Sequence, residues 1–145
     1  MPGSSLNSNL AVVLIAVAIV AGSFATSQTG FATASPYDFT ITSITAPASI
    51  STNLDSVFTA NVENLGTTTA SAVAYKYEVV NSLGYLVFQN NGKINLPAGL
   101  TEIALPVDVL KAGTYTLRMA VDTESIFTET SKSNNNYELE VTVPY

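Results

Sequence analysis

The sequence predicts a mainly β fold, an antiparallel β-sandwich of about seven short strands preceded by one long hydrophobic α-helix. The first 37 of the 145 residues contain no Asp, Glu, Lys or Arg, and residues 10–22 form an unbroken apolar run. From residue 37 onward apolar and polar residues alternate with a period of two, which is typical of half-buried strands. These patterns divide the chain into a hydrophobic helix at residues 1–36 and a sandwich at residues 37–145.

The predicted helix begins near Leu10, where Ser8 or Asn9 can cap the free amides, and it fades by Ala34. The Pro36 ring then stops it, because proline cannot donate to the helical ladder. A helix of only the apolar run would be about 20 Å long, whereas one that continues to Ala34 would be about 37 Å, against roughly 30 Å for the hydrocarbon core of a membrane. Length alone therefore leaves the role of the helix open.

Three interpretations of this segment remain. A secretory signal peptide fits the apolar run and a cleavage site at Ala32-Thr33-Ala34, but the basic start is missing. A single membrane anchor lacks the flanking positive residues that normally set orientation. The third is a helix that leaves the membrane and packs against copies of itself in the core of a filament. The absence of charge favours this last interpretation, because charges buried in such a core would be costly.

Small residues recur at every fourth position of the segment, so they would lie along one stripe of a helix and let another helix approach closely. Phe24 and Phe31 form a separate face that can fill the space between neighbours. We therefore expect the chain to self-associate into a homopolymer through this helix, and to sit in a membrane before assembly. The predicted helix-packing residues are Ala18, Gly22, Thr26, Gly30 and Ala34.

Six segments of the remaining chain place apolar residues at alternate positions and predict strands with one buried face. These apolar positions are Tyr37, Phe39 and Ile41; Phe58, Ala60 and Val62; Val73, Tyr75, Tyr77 and Val79; Ile103, Leu105, Val107 and Val109; Tyr115, Leu117, Met119 and Val121; and Tyr137, Leu139, Val141 and Val143.

Turn signals separate these segments, and the spacing of about seven short strands without any helical period indicates an immunoglobulin-like sandwich. Asn64 and Gly66 lie where the chain is expected to reverse after the second strand, since Asn and Gly tolerate positive φ angles. Tyr115 is a candidate for the tyrosine corner of such sandwiches. The predicted turns are Ala46-Pro47, Asn64-Leu65-Gly66, Ser82-Leu83-Gly84, Asn90-Asn91-Gly92, Pro97-Ala98-Gly99, Ala112-Gly113 and Asn134-Asn135-Asn136.

Several of these pieces together resemble the CARDB domain, a cell-adhesion-related, immunoglobulin-like module of bacterial and archaeal surface proteins. The pieces that carry the resemblance are Phe39 to Ile44 followed by Pro47; Phe58 to Thr67; Leu96 to Gly99; Ala112 to Leu117; Val121-Asp122; and Glu129 with Ser133 to Tyr137. The Asn-Leu-Gly-Thr turn and the Asn pair before the last strand are the more specific parts. The sequence departs from the family at Ser131-Lys132, where an acidic residue usually lies nearer to the Asn pair.

The composition excludes several kinds of chemistry. The chain has no Cys and no His, so thiolate chemistry, zinc-thiolate sites and a histidine base are excluded. Without His or Cys, only a lysine could serve as the base for a Ser or Thr nucleophile, and no lysine lies near a recognisable catalytic motif. We therefore expect that the protein is not an enzyme and binds no cofactor. The net charge of −6 comes from residues 38–145, and an acidic domain repels a phosphate backbone. Nucleic acid is therefore not an expected partner.

Two weaker binding hypotheses remain. Asp122, Glu124 and Glu129 flank the Asn134 loop, and carboxylate and amide oxygens are the ligands that calcium prefers. No twelve-residue calcium loop is present, so the sequence predicts no metal site, while a cation near Asp122 and Glu129 stays open. Tyrosine rings could bind sugar, although strand tyrosines more often belong to the core and no Trp is present. These rings belong to Tyr37, Tyr75, Tyr77, Tyr85 and Tyr137.

Two classes of function follow. In the first, the chain is a structural protein of the extracellular cell surface, similar to archaeal type IV pilins and archaellum-type filament subunits, which couple an apolar helix to an immunoglobulin-like head. It departs from them at Met1-Pro2-Gly3, which has the Gly before a cut but no basic leader. In the alternative, the sandwich is a secreted or tethered adhesion module. A surface protein or a glycan is the expected ligand in either class.

Overall fold

The structure, a computed structural model, describes residues 35–145. The predicted helix and its packing residues Ala18, Gly22, Thr26, Gly30 and Ala34 lie outside the described residues. Within residues 35–145, no helix is long and apolar enough to cross a membrane.

The described part of the chain forms seven strands, in agreement with the predicted sandwich of about seven, and the alternation locates six of them. The strands are β1 (Phe39–Thr45), β2 (Ser56–Asn64), β3 (Ala70–Asn81), β4 (Leu86–Leu96), β5 (Gly99–Val107), β6 (Gly113–Val121) and β7 (Asn136–Val143). Strands β1, β2 and β5 form one sheet in the order β1-β2-β5, and the other four form a second sheet in the order β4-β3-β6-β7. Every strand pair is antiparallel.

The core lies between the inner faces of the two sheets and consists largely of the predicted apolar positions. Phe58, Leu105 and Leu117 are fully buried there. Tyr115 is also buried, and its hydroxyl donates to the Lys111 carbonyl at 2.9 Å, which confirms the predicted tyrosine corner. Because apolar residues at every second position of each strand point the same way, both sheets turn one apolar face inward.

Three register shifts interrupt the regular pairing of the strands. The register of β1 shifts between Ile41 and Ser43, so that Ile41 and Ile44 are both buried although they are three residues apart. The pairing of β3 with β4 shifts between Ala70 and Val73, with the extra residue in β3, and again after Val79, with the extra residue in β4. An extra residue in a strand moves every later side chain to the other face, and strict alternation does not show it.

The prediction that Val109 continues the inward face of β5 is wrong. The strand ends at Val107, Val109 is 47% exposed, and Leu110 is buried in its place. The chain leaves the sheet after Val107, so the period of two no longer decides which side chain faces the core.

The predicted turn at Asn90-Asn91-Gly92 is also wrong, because these residues lie inside β4. Strand β4 is an edge strand whose inward face carries Phe88, Ile94 and Leu96, but Asn90 and Gly92 interrupt the apolar alternation between them. Gly92 lies opposite Tyr75 on β3, and a Cβ at Gly92 would be 2.7 Å from the Tyr75 hydroxyl oxygen. The Tyr75 ring therefore occupies the space that a side chain at Gly92 of β4 would need.

Asn64 ends β2 as predicted, but its role is to satisfy buried backbone groups. Its side chain is buried; the Oδ1 atom accepts from the Gly66 N–H at 3.0 Å, and the Nδ2 group donates to the carbonyls of Thr68 at 2.9 Å and Leu96 at 3.1 Å. One amide thus joins the β2–β3 turn to the end of β4. Because backbone groups buried without partners are costly, this side chain stabilises the turn.

Gly66 is required for close approach, which differs from the expected positive φ. The glycines with positive φ among the described residues are Gly84, Gly99 and Gly113. A Cβ at Gly66 would lie 2.1 Å from the Pro36 carbonyl oxygen. The segment that enters β1 therefore runs directly against the β2–β3 turn.

Candidate functional site

The candidate site is the connection between β6 and β7, residues 122–135, together with the start of β1. It brings together Asp122 and Glu129, two of the carboxylates that the sequence placed near the Asn134 loop. The third, Glu124, is not part of the site, because it points to solvent and pairs with Lys93 at 3.0 Å. The predicted carboxylate cluster is therefore corrected to a pair.

Asp122 follows β6 directly and folds the connection around its own carboxylate. Its backbone has a φ of 50°, and its side chain is 1% exposed. The Oδ1 atom accepts from the Ile126 N–H at 3.0 Å, and the Asp122 carbonyl accepts from the Ser125 N–H at 2.9 Å. Asp tolerates the left-handed region because its short side chain bonds locally to the backbone.

Glu129 ties the connection to the first strand. Its side chain is 0% exposed; the Oε2 atom accepts from the Phe39 N–H at 3.0 Å, and the Oε1 atom accepts from the Asn135 Nδ2 group at 2.8 Å. The Ile41 N–H donates to the Asn134 carbonyl at 3.1 Å on the same side. Strand β1 is thus held by the β6–β7 connection as well as by its pairing with β2.

Lys132 supplies the countercharge. Its ammonium nitrogen lies 2.8 Å from Asp122 Oδ2 and 3.7 Å from Glu129 Oε1. Burial raises the pKa of the Glu129 carboxyl and nearby Asp122 adds to the rise, whereas hydrogen bonds from Phe39 and Asn135 oppose it. The hydrogen bond to Asp122 raises the pKa of the Lys132 ammonium, although partial desolvation opposes this change. Lys132 therefore remains charged at neutral pH.

Asn135, like Lys132, belongs to the site although the sequence did not single it out as a site residue. It is buried, its backbone carbonyl accepts from the Val121 N–H at 2.9 Å, and its Nδ2 group donates to Glu129. Its Oδ1 atom has no hydrogen-bond partner among the described residues. The predicted turn at Asn134-Asn135-Asn136 already included Asn135. Lys132 lies in the dipeptide Ser131-Lys132, where the sequence differs from the usual pattern of the resembled family.

Aromatic rings close the cluster on the side of β1. The Phe127 ring lies edge-on to Tyr37 at a centroid distance of 5.0 Å and to Phe39 at 5.5 Å. Residues 37 and 129 also form an isolated parallel bridge. The three rings therefore pack together where the β6–β7 connection meets the start of β1.

The tyrosines do not form a shared sugar platform. Tyr77 is buried and its hydroxyl donates to the Pro106 carbonyl at 2.6 Å, while Tyr37 packs against Phe127. Tyr75 stacks on Tyr77 and Tyr137 packs against the core, whereas Tyr85 is largely exposed. Four of the five rings therefore pack in or against the core, and only the Tyr85 ring among them is largely exposed.

A family model and solved structures both match the sandwich of this chain. The family model for CARDB matches residues 35–139. The chain is similar to the CARDB domain of a Pyrococcus furiosus protein, solved in complex with di-metal ions, with a TM-score of 0.61, 22% identity, and coverage of 74% of this chain and 88% of that chain. It is also similar to a domain of a protein assigned to the cell surface of Methanosarcina acetivorans, with a TM-score of 0.55, 24% identity, and coverage of 74% and 91%. No curated protein matches the chain.

Proposed function

The chain belongs to the CARDB family, and on this premise we propose that it is a non-catalytic structural protein of the extracellular cell surface, a pilin-like filament subunit. Its apolar helix would pack in the filament core, and its acidic sandwich would form the outer surface and mediate adhesion. The observation that carries this proposal is the direct joining of 37 residues without charge to an acidic CARDB domain.

The charge distribution of the sandwich supports an outer position. The described charged residues lie largely at the surface, and the main exceptions are the Asp122 and Glu129 side chains, which Lys132 neutralises in part. A surface with a net negative charge stays hydrated and opposes collapse of neighbouring heads onto one another. Assembly would then rely on the helix, where no charge opposes contact.

The attachment of β1 supports a role under tension. A filament subunit or a tethered module transmits force through the chain that enters its first strand. Here that chain is held by hydrogen bonds from the Leu65 N–H to the Asp38 carbonyl at 2.8 Å and from the Thr68 N–H to the Pro36 carbonyl at 3.2 Å. The Glu129 carboxylate adds a third attachment at Phe39.

Leucine at Gly22 or Gly30 should abolish filament assembly. A bulky side chain on the stripe would hold the helix backbones apart and remove many small dispersion contacts at every subunit. Ala32→Leu is the matched control, because it adds similar bulk about 200° around the helix from Gly30. The measurement is electron microscopy of cell-surface or reconstituted material, with folding of the sandwich checked by circular dichroism. Normal filaments from both glycine variants would remove the stripe from the proposal.

The processing state separates the filament from the alternative, a secreted or tethered adhesion module. A helix retained for assembly gives a mature protein that starts at Met1 or at Ser4, whereas a cleaved secretory signal gives a start near Ser27 or Ser35. The intact mass of the protein taken from cells distinguishes these starts. A start at or beyond Ser23 would rule out the filament, because the stripe would then be incomplete.

A further inference from the structure

We propose that the Lys132 ammonium is the resident cation of the β6–β7 connection, that it makes this connection independent of divalent metal, and that residue 132 decides which cation is held there. The ammonium occupies the position between Asp122 and Glu129, at 2.8 Å from the first carboxylate and 3.7 Å from the second. The proposal concerns the sandwich alone and does not depend on filament assembly.

The burial of the two carboxylates creates a need for a cation. Their side chains are 1% and 0% exposed, so water cannot solvate them, and two negative charges in the same cluster repel each other. The Lys132 side chain is 45% exposed, so it reaches the buried carboxylates from the surface. One positive charge offsets part of the repulsion without a bound ion.

The carboxylate oxygens are already used by protein donors. Asp122 Oδ1 accepts from the Ile126 N–H and Oδ2 from Lys132, while Glu129 Oε2 accepts from the Phe39 N–H and Oε1 from Asn135. Calcium takes six to eight oxygen ligands, and among the described residues no group of three acidic, His or Cys side chains could hold a metal. A divalent ion does not fit this set, because it would displace these donors and lie beside an ammonium.

A substitution at residue 132 would change which groups surround the two carboxylates. A carboxylate there would remove the ammonium and add ligand oxygens beside Asp122 and Glu129. The Asn135 Oδ1 atom, buried and without a partner among the described residues, would be a further neutral oxygen in the same loop. Lys132→Glu is therefore expected to convert the connection into a site for calcium or manganese.

The test compares the full chain in detergent micelles with its Lys132→Met and Lys132→Glu variants. Lys93→Met is the matched control, because Lys93 makes a similar ion pair with Glu124 but both side chains are about half exposed. Thermal unfolding is followed by the near-ultraviolet circular dichroism of the tyrosines, in calcium, in manganese and in chelator. Binding of each metal ion is measured by calorimetry.

We expect the melting temperature of the unmodified chain to be the same in metal and in chelator. Lys132→Met should melt at a lower temperature than Lys93→Met, because it leaves two buried carboxylates without a cation. Lys132→Glu should be destabilised in chelator and stabilised by metal, by on the order of 10 °C at a calcium concentration about a hundredfold above its Kd.

The pH dependence gives a readout that lost packing alone would not move. The charged groups around Glu129 are Asp122 and Lys132 on its own connection and Asp38 at the start of β1, whose Oδ1 accepts from the Ser131 N–H at 3.4 Å. A raised pKa of Glu129 gives stability that is present below its unfolded value and is lost as the pH rises through the folded value. Removing the ammonium raises this pKa further, so Lys132→Met should lose more stability between acidic and neutral pH than the unmodified chain does.

Three results would overturn the proposal. Calcium or manganese that stabilises the unmodified chain would show that the ammonium does not exclude metal. A Lys132→Met variant as stable as Lys93→Met, with an unchanged pH profile, would show that the carboxylates need no cation. A folded Lys132→Glu variant without metal binding would show that residue 132 does not select the cation. If that variant does not fold, the first two comparisons decide.

Discussion

Gly66→Ala is expected to destabilise the sandwich by about 3 kcal/mol or more, at the upper end of the range for overpacking. The added Cβ would lie 2.1 Å from the Pro36 carbonyl oxygen, 2.6 Å from the Pro36 carbonyl carbon and 2.7 Å from the Tyr37 Cα atom. These are all backbone atoms, so no side-chain rotation relieves the clash. The segment that enters β1 must move, which breaks the hydrogen bonds from Leu65 to Asp38 and from Thr68 to Pro36.

Gly92→Ala is the matched control for this prediction. Its added Cβ would meet the Tyr75 ring, with the hydroxyl oxygen at 2.7 Å and the Cζ atom at 2.9 Å. This ring is the far end of a partly exposed side chain and can shift, so we expect a clearly smaller loss. Urea unfolding of residues 35–145 measures both variants. If Gly66→Ala proves no more destabilising than Gly92→Ala, the close approach of Pro36 to the β2–β3 turn is wrong.

Leu117→Ala is expected to cost about 2 to 5 kcal/mol, because it removes buried methyl groups and leaves a cavity between the sheets. Leu117 is 0% exposed and lies in β6, opposite Val79 on one side and Leu139 on the other. Such a loss is a large part of the 5 to 15 kcal/mol that typically stabilises a domain.

Leu100→Ala makes the same chemical change at an exposed position of β5, where the side chain is 60% exposed. We expect it to change the free energy of unfolding by about 0.5 kcal/mol or less. The same urea titration compares the two leucine variants. A loss below about 1 kcal/mol for Leu117→Ala would be incompatible with the inward face assigned to β6.

Part of the candidate site was predictable because its members are close in sequence. Asp122 and Glu129 lie in one connection between two predicted strands, so their proximity follows from the turn itself. Glu124 was wrongly grouped with them, since sequence proximity does not show which side chains of a turn point inward. The attachment of Glu129 to the Phe39 N–H spans 90 residues, and no local pattern indicates such a pair.

The fold class and most of the core follow from the sequence alone, because side chains alternate across a strand whatever the strand pairs with. Phe58, Leu105 and Leu117 were identified from this local rule alone. Strand β4 was missed because Asn90 and Gly92 interrupt the apolar alternation of its inward face, which packs on the core at both ends of the strand. Tertiary packing alone sets the bulges in β1, β3 and β4, the approach of Pro36 to Gly66, and the placement of the Lys132 ammonium between two buried carboxylates. These features depend on distances between segments far apart in the chain, and such distances are set by the packing of the two sheets.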